Sequence, residues 1–152
     1  MSDMLAWTKK ERNNQTEEIK MKNPIVHFEI PADNVERAKK FYEKIFGWKI
    51  EKFSAPGMEY WMVRTTEVDK KMMPKKPGAI NGGMMKRQNP GQPFMNYIGV
   101  ESIDAMLKMI KANGGKICLP KQEIGKGMGW IAAFQDTEGN MVGLHQMGKK
   151  SK

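Results

Sequence analysis

The feature that most restricts the fold of this chain is that it repeats itself. Displaced by 68 residues, Val35 falls on Ile103, Ala38 on Met106, Phe41 on Met109 and Tyr42 on Ile110, and Gly47 meets Gly115. Apolar residues at i, i+3, i+6 and i+7 predict an amphipathic helix in each half, with this stripe, Met106 and Met109 included, packed inward. Asp33 and Glu36 have the spacing of a capping box, and Ser102 stands where the second helix needs an N-cap. Gly47 and the Gly114–Gly115 pair end the helices, because glycine takes the left-handed conformation without a Cβ clash.

Strand patterns surround the helices. Ile25 to Ile30 and Met95 to Val100 precede them, and Trp48 to Phe53 and Lys116 to Leu119 follow. Further along, the repeat continues at an offset of 70, Gly57-Met58-Glu59-Tyr60 on Gly127-Met128-Gly129-Trp130, opening strands at Trp61 to Thr65 and Ile131 to Gln135. The last strands return at an offset of 61, Gly78 on Gly139 and Gly82 on Gly143. The fall in offset marks an insertion over Thr66 to Pro77 that holds four lysines and reads as a solvated hairpin tip.

Each half is therefore strand, helix and three strands. A helix shields one face of such a sheet, and the other face must curl or meet its twin. The prediction is an α+β fold of two tandem βαβββ modules, paired edge to edge into an eight-stranded, cup-shaped mixed sheet with the helices outside. Module 1 covers about residues 24–87 and module 2 about 94–147 of one domain, 23–148. Residues 88–93, Gln88-Asn89-Pro90-Gly91-Gln92-Pro93, form the linker. Residues 1–22 read as a flexible extension whose lone tryptophan, Trp7, is the only hint of a docking role, and 149–152 as a basic tail.

At 152 residues the chain has the size of one domain, enough to bury a core without disulfides. The formal charge of +9 invites a nucleic-acid partner. However, much of it sits in the tails and in the Lys70–Arg87 stretch, with no nucleic-acid-binding motif beside it, so no nucleic acid is expected. There is no 18-residue apolar run and no apolar core to a leader, so neither a membrane span nor a secretory signal is expected. Cys118, the sole cysteine, fits a cytoplasmic protein and reads as buried packing rather than a nucleophile.

The residues now assemble into a known pattern. His27 in the first strand, Asn34-Val35-Glu36-Arg37-Ala38, Phe41-Tyr42, Phe46-Gly47-Trp48, Gly114-Gly115 and the closing Asp136-Thr137-Glu138-Gly139-Asn140 resemble the vicinal oxygen chelate superfamily. That superfamily includes glyoxalase I, the bleomycin- and fosfomycin-resistance proteins and the extradiol dioxygenases. The resemblance covers about residues 24–147, and the fold it implies hosts many chemistries. It implies four metal-ligand positions, which fall on His27, Gly82, Met95 and Gly143. Two glycines and a thioether leave one usable ligand where a catalytic divalent site needs about three. No cofactor is therefore expected.

Alternation along strands offers a substitute. His27, Glu29 and His145 share a face if the register holds, and would make a two-histidine, one-carboxylate set for one divalent metal ion. Without metal, His27 and Glu29 provide an acid–base pair. The same alternation lines the cup with Met84, Met95, Tyr97, Met141 and His145, a wall suited to an apolar or planar small molecule. Trp48, Trp61 and Trp130 read as core. The function expected is metal-free small-molecule binding of the resistance-protein kind. The alternative is a lyase or dioxygenase related to lactoylglutathione lyase, using the relocated metal or the acid–base pair. Uncovered sheet edges and helix faces predict a homodimer.

Overall fold

Alternation along the first strand decides which side of the sheet is core. The structure is a computed structural model that describes residues 21–148, apart from Pro56 and Lys126. The expected tail and all but the last two residues of the expected N-terminal extension lie outside this range. In β1 (Ile25–Ala32), Phe28 and Ile30 are buried while His27 and Glu29 point the other way. Phe28 and Ile30 pack with Val35, Ile50, Val63 and Met84. Val63 and Met84 are fully buried, and burial of such side chains contributes about 1.5–3 kcal/mol each.

Helix α1 (Val35–Phe46) begins one residue later than the capping-box spacing suggests. Its N-cap is Asn34, extended at φ −131°, whose side chain accepts from the Arg37 amide at 3.0 Å. Asp33 instead accepts from Arg87 Nε at 2.9 Å, tying the end of β1 to the start of the linker. Gly47 closes the helix at φ +68°. Strands β2 (Lys49–Ala55), β3 (Met58–Arg64) and β4 (Gly82–Lys86) complete module 1. Between β3 and β4 the lysine-rich insertion folds back through a Val68–Pro74 bridge, where Asp69 Oδ1 accepts from the Lys71 and Met73 amides.

Module 2 repeats this order as β5 (Met95–Gly99), α2 (Ile103–Ala112), β6 (Lys116–Glu123), β7 (Trp130–Gln135) and β8 (Met141–Gln146). Ser102 caps α2, accepting from the Ala105 amide at 3.2 Å. The second core gathers Val100, Ile103, Ala132 and Leu144 under Met106, Leu107 and Ile110.

All eight strands form one mixed sheet in the order β2-β3-β4-β1-β5-β8-β7-β6. β1 and β5 meet antiparallel at its centre, and each lies parallel to the last strand of its own module. The modules therefore pair within one chain. Phe28 stands opposite Asn96, and Ile98, two residues on, packs with Ile103, so both helices cover the same side. Among the described residues, no helix covers the other side.

Three packing expectations need correction. Phe41 and Met109 are 56% and 58% exposed, although the repeat aligns them on the apolar stripe. At 100° per residue they lie about 120° from Val35 and Ile103, outside the arc that reaches the sheet. Cys118 is exposed on the edge strand β6. Trp130 corresponds by face to Trp61, not Tyr60. Both indoles lie on the helix side, each under a lysine ammonium, Lys52 at 5.6 Å and Lys121 at 5.1 Å. The true offset there is 69.

Candidate functional site

Because β1 turns Phe28 and Ile30 into the core, it presents His27 and Glu29 to the helix-free side. The registers carry that side across the sheet. Met95 is opposite Glu29, Tyr97 opposite His27, and Gly143 opposite Tyr97, which places Met141 and His145 there too. In module 1, Gly83 is opposite Glu29, and Met62 opposite Gly83, so Tyr60 shares the face.

Met84 does not. It pairs with Ile30 and is fully buried beneath α1, so the expectation that it lines the cup is corrected. The cause is one residue of register. The last strands correspond at an offset of 60, Gly83 with Gly143, and a shift of one exchanges the faces of a strand. Gly82 accordingly lies on the helix side, where an added Cβ would strike Phe28.

Four side chains converge at the centre of the free face. Tyr60 Oη donates to Glu29 Oε2 at 3.1 Å, and Tyr97 Oη donates to Glu29 Oε1 at 3.1 Å. His27 Nε2 lies 2.9 Å from Tyr60 Oη, and its ring stands edge-on to Tyr97 with centroids 5.5 Å apart. Glycines make the convergence possible. A Cβ at Gly83 would overlap the Tyr60 hydroxyl, and one at Gly143 would overlap the Tyr97 ring. The tyrosines occupy the space that side chains would fill at these two positions.

Burial sets the electrostatics. The Glu29 carboxyl is pushed above its ordinary value by desolvation, against the two tyrosine hydrogen bonds that favour its charged form. Burial, with repulsion from His145, lowers the His27 imidazole to about 4, and burial lowers His145 as well. Both tyrosine hydroxyls are raised, first by burial and then by the neighbouring carboxylate, so they remain protonated donors.

This donor set does not fit a divalent metal. Of the four inherited positions, the two glycines offer no donor, Met95 offers only a thioether, and the His27 Nε2 is engaged by Tyr60. His27, Glu29 and His145 share the face but do not close into a site. Among the described residues, no three His, Cys, Asp or Glu side chains gather closely enough to hold a metal ion.

Tyr60 is the member of the cluster that sequence reasoning missed. Matching it with Trp130 hid it. The signal was its alternation with Trp61, which packs in the core and so turns Tyr60 to the open side. A concavity lined by Asp33, Arg87, Gln88, Asn89 and Pro90 lies beyond the C-terminal ends of β1 and β4 and holds the Asp33–Arg87 ion pair.

Comparison with known proteins agrees with this architecture. Residues 24–144 match the family model of the Glyoxalase/Bleomycin resistance protein/Dioxygenase superfamily. The chain belongs to this superfamily. A glyoxylase-like domain-containing protein of Didymella fabae is 34% identical over 116 residues, 74% of this chain and 84% of that protein. A relative from Mycobacterium tuberculosis is 33% identical over 113 residues, 72% of this chain and 40% of the longer protein. Among solved structures, methylmalonyl-CoA epimerase of Streptomyces coelicolor in complex with 2-nitronate-propionyl-CoA superposes with a TM-score of 0.60. It is 14% identical and covers 82% of this chain and 97% of its own, which shows a common fold. Among the described residues no helix is long and apolar enough to cross a membrane.

Proposed function

We propose that this chain binds a small molecule over the floor formed by His27, Glu29, Tyr60 and Tyr97, with Met95, Met141 and His145 as the surrounding wall, and without a divalent metal in the inherited positions. The observation that carries this reading is the Glu29 carboxyl, placed on the helix-free face and held by one tyrosine from each module. The fold does not need a carboxyl there, since the hydrophobic cores lie on the other side of the sheet. A desolvated polar group of shifted pKa, set among apolar and aromatic walls, is the usual make-up of a ligand site.

The test is native mass spectrometry of freshly purified protein, with metal analysis alongside. An organic ligand released on denaturation, in the absence of stoichiometric metal, is the expected result. A stoichiometric metal ion lost in a His27→Ala variant would overturn the metal-free part of the reading.

A second reading is favoured by one observation, the opposite pKa displacements of Glu29 and His27, which bring an acid and a base closer in proton affinity. In that reading the cluster moves a proton on a bound substrate in lyase- or isomerase-like chemistry. Turnover of the glutathione–methylglyoxal hemithioacetal that is unaffected by added nickel or zinc, and lost in Glu29→Gln, would support it. We also propose a homodimer, a reading supported by Phe41, Ile45 and Phe46, all more than half exposed on α1. Light scattering at twice 17.4 kDa is the expected outcome.

A further inference from the structure

Counting the hydrogens in the cluster constrains what it can recognise. A tyrosine hydroxyl has one proton to give, and an ionised carboxylate has none. Tyr97 spends its proton on Glu29 Oε1, and Tyr60 spends its own on Glu29 Oε2. The Tyr60 oxygen nevertheless sits 2.9 Å from His27 Nε2. With its own proton committed, Tyr60 can only accept there, so His27 carries its hydrogen on Nε2 and keeps Nδ1 as a bare lone pair. All three donor hydrogens of the cluster therefore point into it. Among the described residues, what remains for a ligand is the unused lone pairs of the Glu29 carboxylate, His27 Nδ1 and the Tyr97 oxygen. The depressed proton affinity of His27 keeps its ring neutral, which preserves that lone pair.

We propose that the floor of this site is an acceptor surface, and that it selects ligands that enter with a hydrogen-bond-donating end, an O–H or N–H, over ligands that enter with a carbonyl or carboxylate oxygen. This inference rests on the small-molecule reading above and sharpens it. Two acceptors set against one another leave both unsatisfied, which is why sites built from lone pairs reject carbonyl oxygens strongly. The basic Lys70–Arg87 stretch does not alter the selection, because it follows from the orientation of hydrogens at the floor.

Two measurements on the full chain test it. Long-range proton–nitrogen correlation spectra of the imidazoles report the tautomer directly. Neutral His27 protonated on Nε2 is expected, and protonation on Nδ1 would overturn the inference with no ligand involved. The second measurement uses a neutral matched pair, 1-phenylethanol and acetophenone, which differ in offering or lacking a donor hydrogen. Shifts of the Met95 and Met141 methyl signals give their affinities. The alcohol should bind about tenfold more tightly, and Tyr60→Phe, which frees the tautomer choice of His27, should shrink that preference. Equal or tighter binding of the ketone would overturn the acceptor surface while leaving the small-molecule reading in place. Absence of any shift with both probes would overturn the two together.

Discussion

The two modules agree on one side of the sheet and part company on the other. Toward the helices, Val35 matches Ile103, Met84 matches Leu144, and Trp61 under Lys52 matches Trp130 under Lys121. Away from the helices, Glu29 of module 1 stands where module 2 has Tyr97, and His27 where module 2 has Met95. The equivalent pair Glu29 and Tyr97 are bonded to each other across the molecular centre. The duplicated scaffold has kept these packing positions, though not Phe28, whose counterpart Asn96 is exposed, and the residues of the other face have changed in kind.

The comparison can be broken first at the packing it shares. Ile103→Ala removes a side chain with no exposure and should cost about 3 kcal/mol in urea unfolding. Its counterpart Val35→Ala, at 9% exposure and with fewer atoms to lose, should cost less.

Next come the two glycines. Gly143→Ala meets the near end of the Tyr97 ring, which cannot swing aside without leaving its rotamer, and should cost about 2 kcal/mol. Gly83→Ala meets the hydroxyl end of Tyr60, which can yield, so its cost in stability should be smaller. It should still displace Tyr60 from Glu29 and His27, which the ring proton spectrum of His27 would show. Equal losses for the two glycines would refute the assignment of Tyr97 as the more tightly seated tyrosine.

Removing the hydroxyls is a milder change. Tyr60→Phe deletes contacts to both Glu29 and His27, and should cost about 1–2 kcal/mol, against about 1 kcal/mol for Tyr97→Phe. In either variant the Glu29 carboxyl should titrate at still higher pH, a change visible in its carboxyl carbon shift.

The last effect is on pH, where opposing titrations partly cancel. His27 is depressed in the folded state, so the unfolded chain binds its proton first as pH falls from the ordinary histidine value toward 4, and stability drops through that window. His145 acts in the same direction. Glu29, raised in the folded state, acts oppositely, since its contribution is lost as pH rises above the ordinary carboxyl value. The histidines and the carboxyl therefore oppose one another, and in Glu29→Gln the midpoint of thermal unfolding should fall more steeply below about pH 6 than in the parent. His27→Gln should flatten the fall.

Most of the fold was legible in the sequence, because period and punctuation are local properties. The two helices, Ser102, Gly47 and the strand preceding each helix lie where the repeat places them, while Phe41 and Met109 of the stripes do not pack inward. The site was legible in part. His27, Glu29, Met95, Tyr97, Met141 and His145 occupy one face, as alternation from β1 and β5 requires. Tyr60 and Met84 were misplaced for a single reason. From β3 onward the glycine-matched offsets of 70 and 61 exceed the true 69 and 60 by one, and Gly57, Gly127, Gly78 and Gly139 sit in turns, where an extra residue leaves no hydrophobic trace. Face depends on parity, and parity does not survive an uncounted residue. The Asn34 cap slipped by one in the same way, where two adjacent residues were both competent to cap.

The antiparallel seam between β1 and β5 gives the cluster a second meaning. Three of its members come from the first module and one, Tyr97, from the second. An isolated half-molecule could not assemble it. A ligand on this floor, as proposed, would touch both modules and act as a clasp: its presence would hold the halves shut, and their parting would expel it.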